Sequence, residues 1–250
     1  MRTSKTPSHN VDLSIIIPVF NEREKIGKDV EAAVAFLKAH DFSGEVIVVD
    51  DGSSDGTPDL VNTLLPPSDI PVKIIRYAHR GKGFTLRNGV INGQGDYIMY
   101  TDSGGCVPFE NILPGMVMLK EGRCDLAHGS RRLNESKILR PHSWHRRILS
   151  RIFRWFMISW MRIPGELTDT QCGFKIYTGN VARDLFGTCI SNGFMFEVEI
   201  IIRAMRRGFR IKEFPVEWMA DRDSRLRLWK NLPQGWLELV RIRKVLRGQK

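Results

Sequence analysis

Carboxylates are concentrated in the segment Asp50-Asp-Gly-Ser-Ser-Asp55. On a turn that glycine keeps flexible, such side chains can accept hydrogen bonds from a nucleobase or from ribose hydroxyls. Capping of a following helix is the ordinary alternative, and Ser53, Ser54 or Asp55 suits that role. Three aspartates in one turn exceed what capping needs, so we interpret the segment as a candidate nucleotide-binding turn.

A second candidate segment is cationic and reads His79-Arg-Gly-Lys-Gly83. It places positive charge and flexible backbone at the start of a predicted helix, where phosphate groups bind readily. The segment is neither a Walker A loop nor a Gly-x-Gly-x-x-Gly turn. On its own it therefore indicates an anion without identifying it.

The elements that must position these residues alternate along the chain. Apolar runs rich in β-branched residues at 13–20, 45–49, 72–77 and 97–101 predict buried strands, and helical patterns separate them. This alternation predicts an α/β fold with a mostly parallel sheet flanked by helices, in which ligands bind at the carboxyl ends of the strands. The polar groups at those ends are Asn21-Glu22, Asp50-Asp51, Arg80 to Gly83, and Asp102.

The composition is that of a globular chain with a localised basic excess. Hydrophobic residues make up 42% of the 250 residues, which excludes a disordered chain, and the net charge is +10. The four cysteines contain no Cys-x-x-Cys pair, so neither a disulfide scaffold nor a zinc site of the usual spacing is expected. We expect free thiols in a reducing compartment.

Most of the excess charge lies in 140–163 and 221–250, which also carry apolar residues and tryptophan. A basic amphipathic helix of this kind suits an anionic membrane surface, and the alternative is a helix packed on the domain with a solvated basic edge. No apolar run is long enough to span a bilayer, and residues 1–10 are polar, which predicts a flexible tail rather than a signal peptide. We expect a cytoplasmic, peripherally membrane-associated protein that does not bind nucleic acid.

Six short strings together resemble family 2 glycosyltransferases. They are Ser14-Ile-Ile-Ile-Pro-Val-Phe-Asn-Glu22, Val48-Val-Asp-Asp-Gly-Ser-Ser-Asp-Gly-Thr57, Gly81-Lys-Gly83 with Arg87, Gly95-Asp96 ahead of Asp102, Gly129-Ser-Arg131, and Asp169-Thr-Gln-Cys-Gly-Phe-Lys175. Within that family, the chain is most similar to the dolichyl-phosphate glucose and mannose synthases. The last string carries this finer similarity and favours the glucose branch.

The resemblance implies a GT-A fold over 11–220, with an amphipathic interface helix at 140–163 and a basic amphipathic segment at 221–250. It implies an inverting transfer of a hexose from a nucleotide-sugar to a polyprenyl or dolichyl phosphate at a membrane surface. UDP-glucose is the favoured donor and GDP-mannose the next. Since no spanning helix is predicted, a membrane partner subunit is compatible with this reading.

The resemblance also assigns roles by position. The residues implied to border the donor nucleotide are Pro18, Asn21, Glu22, Asp50, Asp51, Lys82 and Arg87. The residues implied to be catalytic are Asp102, Asp169, Gln171 and Arg131. The residues implied to bind the acceptor phosphate are Arg146, Arg147 and Arg225.

One departure from the family concerns a Mg²⁺ or Mn²⁺ cofactor. The expected Asp-x-Asp reads Asp102-Ser-Gly104, and a glutamine found further along in the synthases is Cys106 here. These metals prefer oxygen ligands, so two of three expected ligands are missing. Three arrangements stay open: a metal held by Asp102 and the donor diphosphate, neutralisation by Lys82, Arg87 and Arg131 without metal, or a degenerate site.

The acceptor class also stays open on these residues. A lipid phosphate is already anionic and needs orienting cations, whereas a sugar hydroxyl needs a general base, for which Asp169 is the candidate. The alternatives to the lipid reading are a family 2 enzyme with a soluble or glycan acceptor, and a nucleotide-binding homologue with a degenerate site.

Overall fold

The predicted strands form one main sheet. The computed structural model describes residues 11–63, 69–140, 144–220 and 228–248. The predicted tail 1–10 lies outside these residues. The strands of the described residues are β1 Leu13–Val19, β2 Gly44–Asp50, β3 Val72–Arg76, β4 Tyr97–Thr101, β5 Leu126–Ser130, β6 Lys137–Arg140, β7 Phe174–Thr178, β8 Ile211–Pro215 and β9 Glu217–Met219.

The sheet has seven strands in the order β3-β2-β1-β4-β7-β5-β8. β7 is antiparallel to both of its neighbours, β4 and β5, and every other pairing in the sheet is parallel. Strands β6 and β9 form a separate parallel pair. The prediction of an α/β fold with a mostly parallel sheet is therefore confirmed.

Helices cover both faces of this sheet. They are α1 Arg23–Ala39, α2 Thr57–Thr63, α3 Lys82–Asn92, α4 Leu113–Lys120, α5 Trp144–Met161, α6 Gly179–Gly187, α7 Phe196–Arg206 and α8 Leu228–Gly248, with a 3-10 turn at Phe109–Ile112. Alternate residues of β1 point to opposite faces, so Ile15 and Ile17 pack with α1 and Ile16 packs with α3. This double cover explains why β1 and β2 are buried throughout.

A third apolar cluster joins α5, α7 and α8. Met157 of α5, Val198 and Ile201 of α7, and Leu239 and Ile242 of α8 are buried together. The two basic segments predicted from sequence thus contain α5 and α8, each of which packs one face on the domain. The predicted domain boundaries themselves stay a prediction.

Helix α1 holds the loop that follows β4. Asp29 is buried on α1, and its Oδ2 accepts a hydrogen bond from the Gly104 N–H at 2.8 Å. Burial raises the pKa of this carboxyl from 3.8 to about 6, against the opposing hydrogen bonds from Gly104 and Gly105. The backbone after Asp102 is therefore tied to a buried acid on a neighbouring helix.

We expect Asp29→Asn to change how stability depends on pH. Because the folded protein holds the Asp29 proton more tightly than the unfolded chain, wild-type stability falls as pH rises from about 4 to about 6. Asparagine does not titrate and so does not show this loss. Between these pH values, the free energy of unfolding of the variant should therefore rise by on the order of 3 kcal/mol relative to that of wild type. The difference in Tm, measured at about pH 4 and about pH 7, tests this.

The control is Lys28→Gln, on the exposed side of the same helix. It removes a charge without touching the loop and should give the same Tm difference from wild type at both pH values. A pH-independent difference for Asp29→Asn would contradict the prediction.

Candidate active site

The predicted site residues meet at one edge of the sheet. β1, β2, β3, β4 and β5 all end there, because each runs in the same direction. β7 runs the other way and begins at this edge, which places the segment before it beside the strand ends. The edge therefore collects residues from six separate parts of the chain.

Asn21 and Glu22, which follow β1, bind the candidate nucleotide-binding turn. Asn21 has a left-handed φ of 56°, its N–H donates to Ser53 Oγ at 2.7 Å, and its Oδ1 accepts from the Ser54 N–H at 2.8 Å. The Glu22 N–H donates to Thr57 Oγ1 at 2.9 Å. These two residues shape the turn through their backbone and amide groups.

Asp50 and Asp51 hold neighbouring backbone. Asp50 is fully buried and accepts a hydrogen bond from the Ser53 N–H at 3.2 Å. Asp51 accepts from the N–H groups of Arg80 and Gly81 at 2.8 and 3.0 Å. Asp51 therefore fixes the start of the Gly-Lys-Gly segment, and direct contact of either carboxylate with a nucleotide stays a prediction.

An aromatic pair that sequence reasoning missed lies beside Asp51. The rings of Phe20 and His79 are stacked with centroids 4.4 Å apart, and His79 Nδ1 lies 2.8 Å from Asp51 Oδ2. Both side chains are partly exposed, which gives the edge a flat surface suited to a planar ring. Pro18, by contrast, is buried within β1 opposite Val49.

Lys82 and Asp102 form an ion pair at the centre of the edge. Lys82 Nζ lies 2.6 Å from Asp102 Oδ1, and the two side chains are 20% and 43% exposed. The Asp102 N–H donates to the Gly173 carbonyl at 2.9 Å. A Cβ at position 173 would overlap the Asp102 carboxylate, so a larger residue there would displace that side chain. Burial lowers the pKa of Lys82, but the carboxylates of Asp102 and Glu197 outweigh this and raise it above its ordinary value.

Arg87 lies one turn further along α3 and binds a different segment. One terminal nitrogen donates to the Cys189 carbonyl at 2.7 Å, and the other donates to Asn192 Oδ1 at 3.1 Å. Arg87 therefore supports the segment that packs on α3, and its predicted contact with the donor is untested.

Arg131 and Asp169 form a bidentate ion pair. Arg131 Nε and a terminal nitrogen donate to the two Asp169 oxygens at 2.6 and 2.8 Å, and that nitrogen also donates to the Gln171 carbonyl at 3.1 Å. The guanidinium lies 5.3 Å from the ring centre of Trp218. Three of the residues that the resemblance implies to be catalytic are thus in direct contact.

This ion pair sets the charge state of Asp169. Burial raises the pKa of Asp169, but Arg131 outweighs it by charge and hydrogen bonding and lowers the pKa to about 2. Burial lowers the pKa of Arg131, and Asp169 more than reverses this. Asp169 is accordingly a weak base near neutral pH.

Two further acids support the site, and neither was predicted. Glu213 on β8 accepts from the Thr168 N–H and hydroxyl at 2.9 and 2.7 Å and from the Asp169 N–H at 2.8 Å. Glu197 on α7 lies 3.1 Å from Lys175 Nζ, and both side chains are buried. Lys175 belongs to the string 169–175 that carried the resemblance, whereas no sequence pattern marked either glutamate.

The residues at this edge do not fit a metal held by protein ligands. Asp102 supplies one carboxylate, and Lys82 already lies against it. Gly104 has no side chain and its N–H is bound by Asp29, while Cys106 packs against the apolar core. In the part of the chain that the structure describes, no cluster of three His, Cys, Asp or Glu side chains could hold a metal ion.

The structure does not describe the side chains of the residues that are predicted to bind the acceptor phosphate. Arg146 and Arg147 lie in the first half of α5, and their side chains fall outside the described part of the structure. Arg225 lies outside the described residues. Their roles stay predictions.

Comparison with known proteins gives the family. The family model of Glycosyl transferase family 2 matches residues 14–186. The chain is 31% identical to the dolichyl-phosphate beta-glucosyltransferase of Dictyostelium discoideum, over 96% of this chain and 76% of that protein. It is 30% identical to the human protein of the same name, over 92% of this chain and 75% of that protein.

Solved structures show the same fold at lower identity. Glucosyl-3-phosphoglycerate synthase from Mycobacterium tuberculosis, crystallised with Mn²⁺, UDP and glucosyl-3-phosphoglycerate, matches with a TM-score of 0.68 at 18% identity, over 92% of this chain and 78% of that one. Mannosyl-3-phosphoglycerate synthase from Rubrobacter xylanophilus matches with a TM-score of 0.68 at 16% identity, over 96% and 76%. The predicted GT-A fold and the predicted resemblance to dolichyl-phosphate glucosyltransferases are confirmed. This chain belongs to glycosyl transferase family 2 and is a glycosyltransferase.

Proposed function

We propose that this enzyme transfers glucose from UDP-glucose to a polyprenyl or dolichyl phosphate at an anionic membrane surface. Similarity at about 30% identity along nearly the whole chain supports this acceptor class. The observation at the site that carries the proposal is the bidentate ion pair between Arg131 and Asp169.

The ion pair favours a phosphate acceptor over a hydroxyl acceptor. A sugar hydroxyl must lose its proton during attack, and Asp169, the candidate base, has a pKa near 2. A phosphate monoester is already ionised at neutral pH and needs orientation rather than deprotonation. Asp169 then acts by holding Arg131 in place beside the Gln171 backbone.

The reaction is a single displacement. An oxygen of the acceptor phosphate attacks the anomeric carbon and forms the new C–O bond. The bond from that carbon to the diphosphate oxygen breaks, and UDP leaves with the electron pair. Attack from the opposite side inverts the configuration, so an α-linked donor gives a β-linked product, in agreement with the names of the relatives.

Lys82 is the side chain best placed to stabilise the leaving diphosphate. It stands at the start of α3, where backbone N–H groups and positive charge favour phosphate. Its raised pKa keeps it charged, and its partner Asp102 is its only ion-pair partner among the described residues. Preorganised positive charge of this kind stabilises charge that develops in the transition state.

Helices α5 and α8 provide the surface for a lipid substrate. Trp155 on α5 and Leu237 on α8 are each 68% exposed, and Arg151 and Arg241 are exposed on the same helices. The rings of Trp160 and Trp236 stack at 5.1 Å and join the two helices. Exposed apolar residues beside arginines match an anionic membrane interface. Within the described residues, no helix combines the length and apolar character required to cross a bilayer.

Lipid transfer is tested directly with UDP-glucose labelled in the sugar. We expect label to pass to dolichyl or polyprenyl phosphate in anionic vesicles and to appear in the organic phase. The variant Arg146→Ala/Arg147→Ala should lower this transfer at least about tenfold while UDP binding is kept, because the lost cations orient the acceptor phosphate.

The control for this experiment is Arg123→Ala, an exposed arginine on the turn between α4 and β5, which should transfer normally. Normal transfer by the double variant would remove the acceptor assignment. Transfer to a water-soluble acceptor but not to the lipid would favour the hypothesis of a soluble or glycan acceptor over that of a lipid phosphate.

Donor binding is tested by titration with UDP and GDP, each with Mn²⁺ and with EDTA. We expect UDP to bind more tightly than GDP, in line with the proposed donor. We also expect UDP to bind in EDTA, because the expected Asp-x-Asp position keeps one carboxylate, Asp102, which is already paired with Lys82. Lys82→Ala should weaken UDP binding by about tenfold or more. Lys38→Ala, on the exposed end of α1, is the matched control.

Loss of UDP binding in EDTA, together with normal binding by Lys82→Ala, would assign the role of Lys82 to a metal. Absence of binding by any nucleotide in any condition would favour the degenerate-site reading.

Membrane attachment is tested by sedimentation with vesicles of anionic phospholipid. The variant Trp155→Ala/Leu237→Ala should bind about tenfold more weakly, because two large apolar side chains no longer enter the interface. Added salt should weaken binding of both proteins, since the arginine contribution is screened. Val117→Ala, an exposed apolar position on α4, is the control. Failure of the wild-type protein to bind would contradict a membrane-surface reaction.

A further inference from the structure

Glu238 is the one acidic residue of α8, and it points at backbone rather than at a cation. Its Oε1 accepts a hydrogen bond from the Gly193 N–H at 2.7 Å, and its Oε2 accepts from the Met195 N–H at 3.4 Å. These two N–H groups belong to the turn that leads into α7. Glu238 thus joins α8 to a segment about 45 residues earlier in the chain.

That segment packs directly on the Gly-Lys-Gly segment. The Phe84 N–H donates to the Asn192 carbonyl at 3.1 Å. A Cβ at Gly81 would lie 2.6 Å from the Asn192 carbonyl oxygen, and a Cβ at Gly83 would lie 2.7 Å from that of Ser191. The two glycines flanking Lys82 are therefore in close backbone contact with 191–193.

Helix α7, which follows this segment, lies beside the Lys82 ammonium group. Lys82 Nζ lies 5.9 Å from the ring centre of Phe196, the first residue of α7. The near end of the segment is held by the buried Glu199, which accepts from the Ile190 and Ser191 N–H groups. Glu238 holds the far end, so two glutamates from different helices clamp the backbone that supports Lys82.

We propose that Glu238 is a positioning residue for donor binding. Through its hydrogen bonds, the position of helix α8 influences the geometry of the segment around Lys82. The proposal rests on the proposed function in one respect, namely that Lys82 faces the donor diphosphate. Helix α8 also carries the exposed residues Trp236, Leu237 and Val240. The helix with the proposed membrane-facing residues is therefore also the helix that supports the segment around Lys82.

The test measures UDP affinity and steady-state transfer for Glu238→Ala, Glu238→Gln and Gly193→Ala. Glu238→Ala should weaken UDP binding by about fivefold, because it leaves the Gly193 N–H without its acceptor. Glu238→Gln keeps an acceptor oxygen and should restore most of the affinity. Gly193→Ala disturbs the same hydrogen bond at its donor residue, since the new Cβ would lie 2.6 Å from a Glu238 oxygen. It should weaken UDP binding to a similar extent.

The kinetic signature separates positioning from general damage. We expect the donor KM to rise in Glu238→Ala while kcat at saturating donor stays close to wild type. Gln234→Ala, exposed one turn earlier on α8, is the matched control and should change neither quantity.

The outcomes distinguish this inference from the proposed function. If wild type binds UDP and Glu238→Ala and Gly193→Ala bind it equally well, the coupling is wrong and the proposed function stands. If the donor KM is unchanged and only kcat or Tm falls, Glu238 is structural and the coupling is also wrong. If wild type binds no nucleotide, the proposed function fails and the coupling fails with it.

Discussion

Carboxylates that bind the backbone or cations of neighbouring segments hold this active site together. Asp51, Asp29 and Glu213 each accept hydrogen bonds from N–H groups of a loop at the catalytic edge. Asp29 and Glu213 lie on elements that pack on the hydrophobic core, and Asp51 directly follows the buried strand β2. A buried carboxylate is costly without such partners, so the loops are drawn to one geometry. The sheet brings the loops to one edge, and the acids determine their shape there.

The same constraint decides which charges are left for chemistry. Arg131 and Asp169 neutralise each other in a bidentate pair, and Lys175 and Glu197 do so in the core behind them. Lys82 and Asp102 form a third pair at the centre of the edge, and Asp102 is the most exposed of these three carboxylates. The replacement of the second family carboxylate by Gly104 is consistent with this arrangement, since the Gly104 backbone is bound by Asp29. A lysine facing one carboxylate supplies positive charge at the point where the family pattern expects a metal.

Helices α5 and α8 form a separate cluster with α7, and α8 contacts the turn that packs on the Gly-Lys-Gly segment. α5 and α8 bury one face against α7 and leave other apolar residues exposed. The packing of one face of each helix is the packed-helix interpretation of the basic segments, and the interface-helix interpretation stays a prediction for the exposed faces. Because α8 also contacts the turn before α7, its position bears on the segment around Lys82.

The strand and helix pattern, the edge at which polar groups collect, the resemblance to the family, and the basic character of α5 and α8 all follow from the order of the amino acids. Periodicity and strand direction establish the element pattern and the polar edge, since they depend on which face of an element is buried. The six short strings carry the resemblance to the family, and the distribution of charge gives the basic character of the two helices. The sequence did not predict that Asp169 is bound to Arg131, 38 residues away, or that Glu213, Glu197 and Glu238 support the site. These partners follow from the three-dimensional fold alone. A carboxylate that is shielded from water binds an N–H or a cation that is near in space, and here that neighbour comes from a distant part of the chain.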